Sequence, residues 1–401
     1  MPHQSPRVLL VLPELPQNPA SGAARSLTSI CEILAAAGFA VRCLAVTATE
    51  LAGKLDVRKH LKALGIGSPM PSPPHRQLVF SSKGIDFRLL DVGKHTPATW
   101  DRAHGARFDL LFDDELKNFQ PDIVFTYGGL DRDRQRRRRA RKHGAMLVFG
   151  LRNDAYLSSG QLDDIDAFLT PSRYLSNLYR DALGIESTPL PPPMELEQVL
   201  AENHEPIFLT MINPSPEKGV TVFARLAEEL SRQRPDLPIL VIESRGTAGL
   251  LGSVALAGGF DLRRHENIMV SSAVPQPRDI YTPTRILVVP SLWREAAGRV
   301  VQEALLNGIP PIVSDRGGLA ESCAGAGFVL KLPESLTPHD KIPVAPEVVR
   351  PWVDLVIRLF DDEDFYQAEC HKARVAGRRY LPQALTPQYV EFFRNVLDGR
   401  A

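Results

Sequence analysis

The strongest constraint on this chain is a rhythm. Short apolar runs of strand length are each followed by a polar or Gly-rich loop and then a helix-length amphipathic stretch. "RVLLVL" (7–12) passes through "PELPQNPASGAA" into the helix-length "RSLTSICEILAAAG" and on to "AVRCLAV" (40–46). That is a β-α-β unit, which demands parallel strands joined by a right-handed crossover. "QLVFSSKGIDFRLLDV" predicts a hairpin turning at Lys83–Gly84. "PDIVFTYGG" and "AMLVFGL" continue as buried strands, and "AFLTPSRYLSNLY" as a short strand entering a helix. None of these runs approaches the ~18 apolar residues of a membrane span, and "VLLVL" falls short of a signal segment.

The rhythm breaks at "STPLPPPMELEQ" (187–198), where three successive prolines predict a semi-rigid linker. It then restarts: "PIFLTMI", "PILVIES", "NIMVSS", "RILVVPS" and "IPPIVSD" read as strands with helical or loop crossovers, and a helical tail follows. The expected fold is therefore α/β, with two doubly wound Rossmann-like domains at residues 1–190 and 200–380. Such sheets bind ligands at the carboxyl ends of their strands, so a cleft between the domains is the expected site. Lys plus Arg (47) equals Asp plus Glu (47), so no global field favours nucleic acid or an anionic membrane. Cys31, Cys43, Cys323 and Cys370 lack C-x-x-C spacing, which fits reduced thiols and a cytoplasmic location.

One segment carries chemistry: "SLWREAAGRVVQEALLNGIPPIVSDRGGLAE" (291–321). Val300, Val301, Ala304 and Leu305 recur at helical spacing, and Asn307–Gly308 ends that helix. Its start at Gly298 leaves backbone N–H groups of Gly298, Arg299 and Val300 as a phosphate cradle. Glu295 lies in front of the cradle and Glu303 about one turn inside. Carboxylates accept hydrogen bonds from hydroxyls, so a diphosphate with a sugar at each end, a nucleotide sugar, suits the spacing. The competing reading makes Glu295 a macrodipole partner and Glu303 a solvated surface residue.

"EAAGRVVQEALLNGIPPIVSDRGGLAE" resembles the E-x7-E signature of family 4 glycosyltransferases, retaining enzymes of the GT-B fold, with "EAAG" standing for the usual "EPFG". The resemblance implies that the helix "TPQYVEFFRNVL", within 386–401, crosses back onto the first domain. It implies that Glu295 binds donor-sugar hydroxyls, that the loop Ala297–Val300 receives the diphosphate, and that Glu303 holds the ribose. Lys218, in "NPSPEKGV", would neutralise the departing diphosphate, which with Glu295 makes the catalytic pair. Gly22 corresponds to the N-terminal glycine loop, and the base would rest near Ser272 and Val274. Where relatives carry an arginine this chain has Ile212, so Arg245 or Arg299 would supply the second positive partner for the diphosphate, with the following Asn213 among the donor-binding residues. Where relatives carry histidines, Tyr127, Arg152 and Asn153 stand as acceptor-side candidates.

The expected activity is transfer of a sugar, with retention, from a nucleoside diphosphate sugar to an unidentified acceptor (small molecule, glycan or lipid-linked). No metal or other cofactor is expected. The alternatives are a nucleotide-sugar epimerase or a non-catalytic protein binding nucleotide sugar or anionic surfaces. "DRDRQRRRRARKHG" (131–144) reads either as a solvated helix face or as a peripheral contact with anionic membrane. Nucleic acid is disfavoured because the run holds no aromatic residue. The pairs Asp131/Asp133 and Asp164/Asp166 resemble a metal-binding D-x-D but are read as surface.

Overall fold

A computed structural model of the protein describes residues 5–18, 21–66, 70–72, 77–158, 162–272 and 276–399. The chain forms two compact units. The first comprises Met1–Pro171, Ser176–Pro193 and Pro382–Ala401; the second comprises Ser172–Leu175 and Met194–Leu381.

The first unit is built on strands β1 (Arg7–Val11), β2 (Ala40–Val46), β3 (Met70–Ser72), β4 (Gln77–Ser82), β5 (Ile85–Leu90), β6 (Ile123–Thr126), β7 (Met146–Gly150), β8 (Ala167–Thr170) and β9 (Thr188–Pro189). They lie in the order β3-β4-β5-β2-β1-β6-β7-β8-β9. All neighbours run parallel except the pairs β3/β4 and β4/β5. Successive strand residues point to opposite faces, so a parallel sheet covered on both sides needs apolar residues at every position. β1 shows this: Val8 and Leu10 enter one core with Leu27, Ile30 and Phe125, while Leu9 and Val11 enter another with Phe108, Phe112 and Leu147. The helix Pro382–Leu397 closes the first of these cores through Leu385, Tyr389, Phe392, Phe393 and Val396.

The second unit has strands β10 (Phe208–Ile212), β11 (Ile239–Ile242), β12 (Ile268–Ser271), β13 (Thr284–Val289), β14 (Pro311–Ser314) and β15 (Phe328–Leu330). Their order is β12-β11-β10-β13-β14-β15, all parallel. β13 divides its side chains in the same way: Ile286 and Val288 meet Trp352 and Val356 on one face, Leu287 and Val289 meet Val301 and Leu305 on the other.

Three readings of the sequence change. The proline segment is not wholly linker, because Thr188–Pro189 pairs with β8 and Leu190 N–H donates to Thr170 O at 2.9 Å. An edge position tolerates a proline because the missing N–H faces away from the ladder.

The arginine run forms the helix Asp131–Lys142, and most of its arginines are paired within the chain, whereas Arg138 is exposed. Arg136, 5% exposed, reaches Asp101 and Asp109 at 2.8 Å and Asp133 at 3.0 Å. Arg132, Arg134, Arg137, Arg139 and Arg141 also bond aspartates. Arg136 stacks over Trp100 and Phe108 as well.

The aspartates read as surface are corrected by the same contacts. Asp164 is buried against Arg137, and Asp133 bonds both Arg136 and the N–H of Leu130, whereas Asp131 stays exposed. Among the described residues no helix is long and apolar enough to cross a membrane, and the four cysteines are free and buried.

Candidate functional site

In the second sheet β10 is flanked by β11 on one side and β13 on the other, so the loops leaving their carboxyl ends diverge and open a crevice. A cavity of about 290 Å³ occupies it, lined among others by Asn213, Lys218, Ser244, Glu295, Ala297, Gly298, Arg299 and Val300. Three of the loops around it are brought together by glycines, which decide how closely they approach. Gly219 has φ +79°, and a Cβ there would stand 1.9 Å from Pro290 O. This contact seats the loop after β10 on the loop after β13. The carbonyl of Glu217 then accepts Leu292 N–H and Trp293 N–H at 3.0 Å and the Ser291 hydroxyl at 3.1 Å. Gly317, at φ +64°, brings the third loop in; a Cβ there would lie 2.3 Å from Glu295 O, and Gly318 N–H donates to that oxygen at 2.7 Å. The sequence pairs "KG" and "GG" are thus the two close approaches that hold Lys218 and Glu295 in place.

Asn213 sits in the left-handed region at φ 61°, and its Oδ1 accepts Gly246 N–H at 2.7 Å. It clamps the loop after β10 to the loop after β11 while lining the cavity. Lys218 Nζ lies 2.5 Å from Glu295 Oε1, with the lysine side chain 34% and the glutamate 13% exposed. Ser291 donates to the same oxygen at 2.6 Å. A cation and a carboxylate held together at the mouth can each exchange their partner for a ligand group.

The helix Arg299–Leu306 presents its N-terminus to the cavity. The amide cradle differs from expectation at one position. Gly298 N–H donates to Ser322 Oγ at 2.8 Å, so it is already used, and the N–H groups of Arg299 and Val300 donate to no described residue. The glycine at 298 answers to packing as well, since a Cβ there would meet Leu319 Cδ2 at 2.8 Å.

Arg299 Nε donates to Glu303 Oε1 at 2.8 Å, while its Nη1 and Nη2 are buried with no partner among the described residues. Glu303 is 5% exposed and accepts the Tyr281 hydroxyl at 2.7 Å, so its reading as a solvated residue is wrong. Burial and the neighbouring Glu303 push the Tyr281 phenol well above its usual range, leaving it a fixed donor. Glu303 is outside the cavity lining and orients Arg299 from behind.

Other candidates fall elsewhere. Arg245 and Ser272 are exposed and do not line the cavity, and Val274 lies outside the described residues. Ser244, Ser291, Ser322 and Tyr281 were missed: Ser322 and Tyr281 act from other elements on Gly298 and Glu303, Ser291 bonds Glu295 from the start of the same segment, and Ser244 lines the cavity from the loop after β11.

In the first unit the equivalent divergence lies at β1, between β2 and β6. Tyr127, just beyond β6, donates its hydroxyl to Glu14 in the loop after β1. Glu14 is buried and also accepts from Asn18 (2.7 Å) and Ser21 (2.9 Å). Burial raises its carboxyl above the ordinary value despite these donors. Ser21 caps the helix Gly22–Ala36, whose first residue, Gly22, is exposed and would place a Cβ near nothing. Arg152 follows β7 with its guanidinium buried, whereas Asn153 is exposed and bonds the N–H of Ala155 at 3.1 Å. The sequence motif contained no hint of Glu14.

Residues 194–335, which include every loop around the cavity, match the family model described as Glycosyl transferases group 1. No curated protein matches the chain in sequence. Solved structures share its fold over nearly the whole length. Sucrose-phosphate synthase from Thermosynechococcus elongatus is 16% identical, covering 98% of this chain and 100% of that one with a TM-score of 0.71. The catalytic domain of starch synthase IV from Arabidopsis thaliana, bound to ADP and acarbose, is 10% identical, covering 98% and 100% with a TM-score of 0.67. HepE from Anabaena, in complex with UDP and glucose, is 12% identical, covering 96% and 99% with a TM-score of 0.64. The fold is that of the GT-B glycosyltransferases.

Proposed function

We propose that this chain, whose residues 194–335 form a group 1 glycosyltransferase domain, transfers a sugar from a nucleoside diphosphate sugar to an acceptor hydroxyl with retention. The observation that carries the reading is a set of unused donors on one cavity wall. They are the N–H groups of Arg299 and Val300 and the two terminal nitrogens of Arg299, with Lys218 at the mouth. A helix N-terminus concentrates roughly half a positive charge, and buried donors without acceptors are costly. A diphosphate satisfies both. Nucleotides in the similar structures of starch synthase IV and HepE support the same donor class.

In this reading the diphosphate takes Lys218 from Glu295, and the freed carboxylate oxygen accepts sugar hydroxyls. Cleavage of the anomeric C–O bond sends its electron pair to the diphosphate, where Lys218, Arg299 and the helix amides stabilise the developing charge. The acceptor hydroxyl attacks on the same face and passes its proton to the departing phosphate oxygen, which balances the step without a separate base. Glu295, the one carboxylate among the described lining residues, is held by Lys218 and Ser291, an arrangement that supports positioning over nucleophilic attack.

The test is product analysis. UDP-, GDP-, ADP- and TDP-sugars are incubated with an acceptor panel, and nucleotide release and anomeric configuration are read by NMR. The expected result is nucleotide release with the donor's configuration kept in the product. Inversion overturns retention, conversion of donor without acceptor indicates an epimerase, and binding without release indicates a binding protein.

A further inference from the structure

The first unit holds a buried charge that the fold does not compensate. Arg152 lies two residues beyond β7, at the carboxyl end of the sheet, and all three of its guanidinium nitrogens are closed to solvent. None has a hydrogen-bond partner among the described residues. The head folds back over the strand end: a Cβ on Gly150 would lie 3.4 Å from Arg152 Nε and 3.1 Å from Leu27 Cδ1. Burial opposes its charge, and the groups that favour the charge are the phenols of Tyr389 and Tyr127, not a carboxylate. Tyr389 is itself committed to the carbonyls of Leu190 and Pro191.

This arrangement contrasts with the helix Asp131–Lys142 of the same unit, where the buried arginines Arg136 and Arg137 are matched to aspartates. Arginine does not give up its proton in proteins, and a buried charge left unpaired is strongly destabilising. A guanidinium satisfies such a debt with an oxyanion, whose two oxygens match its fork. Tyr127, one of those phenols, donates to Glu14, which also accepts from Asn18 and Ser21 while Thr49 donates to Asn18, a set of carboxylate, amide and hydroxyls suited to a polyol.

We propose that the first unit binds a substrate carrying a carboxylate or phosphate group, with the oxyanion on Arg152 and hydroxyls of the same molecule on Glu14. This names the charge class of one sugar-bearing partner and rests on the glycosyl-transfer reading for its purpose, though the binding chemistry stands apart from it.

The test uses the full chain and three probes: glucuronate, glucose 6-phosphate and neutral glucose. Melting temperature is followed against probe concentration for the wild type, Arg152→Met, Arg152→Lys and Lys218→Ala. Amide hydrogen exchange is read over residues 150–156. A charged sugar is expected to raise the wild-type midpoint while glucose does not, and the rise persists in Lys218→Ala. Arg152→Met melts above the wild type without probe, having lost an unpaired charge, and binds the charged sugar at least tenfold more weakly. Arg152→Lys retains part of the response. A response to glucuronate alone identifies a carboxylate, and to glucose 6-phosphate alone a phosphate. Equal shifts in wild type and Arg152→Met overturn the proposal, as does the lack of any slowed exchange at 150–156. Should Arg152→Met fail to fold, the wild-type exchange map decides. Loss of nucleotide binding is a separate failure, touching only the donor reading.

Discussion

Glu295 and Lys218 form one ion pair at the mouth of the cavity, yet their loss should be read differently. Glu295→Gln keeps the shape and the Ser291 contact but removes the charge that, in the proposed reaction, turns to the sugar. It is expected to lower kcat by about 10²-fold with the nucleotide affinity little changed, the pattern of an interaction realised at the reacting centre. Steady-state kinetics with the active donor check this, and a pure rise in KM would contradict it.

Glu14 allows a prediction in pH. Burial raises its folded value above the ordinary 4.5, so the folded state binds the proton more tightly than the unfolded state. Its contribution is therefore favourable below pH 4.5 and is lost as pH rises through the raised value. Denaturant titrations at several pH values should show wild-type stability falling relative to Glu14→Gln across that window, then running parallel above it. A constant difference across all pH values would mean Glu14 titrates as it does in the unfolded chain.

At the scale of elements, the loops are held by close backbone approaches that only glycine permits. Gly219→Ala meets both a left-handed backbone and the carbonyl of Pro290. The conformation alone costs ~1–2 kcal/mol, and the clash adds to it, so urea denaturation should show a larger loss together with weakened nucleotide binding. The arginine helix makes the opposite kind of prediction. Arg136→Ala strips half-buried Asp133 of its ion-pair partner, leaves Asp101 and Asp109 to Arg132 and Arg139, and removes the guanidinium stacked on Trp100 and Phe108. A loss of about 3–5 kcal/mol is expected, with nucleotide binding retained because the cavity lies in the other unit. A change within a few tenths of a kcal/mol would show the helix face to be as solvated as its composition suggested.

Over the whole molecule, legibility followed range along the chain. The strands were readable because a parallel sheet covered on both faces needs unbroken apolar runs, as in Val8–Val11 and Ile286–Val289. Glu295, Gly298 and Arg299 were readable because one short segment carries them all. Ser322 and Tyr281 were not, since they serve that segment from other elements. The arginine run misled for the same reason: its partners Asp101, Asp109 and Asp113 belong to the preceding helix Trp100–Asn118, and Asp163 and Asp164 to a later loop. β3 and β15, at three residues each, are too short to carry a period.

The account turns on a diphosphate seated between Lys218, Arg299 and the tip of the helix Arg299–Leu306. Calorimetric titration of UDP, GDP, ADP and TDP into the wild type, Lys218→Ala and Arg299→Met tests that directly. At least one nucleotide should bind the wild type in a 1:1 ratio, and each substitution should weaken it by about tenfold or more, the ~1.4 kcal/mol of a lost charge-assisted contact. Equal affinity in all three proteins, or no binding of any nucleotide to the wild type, would contradict it.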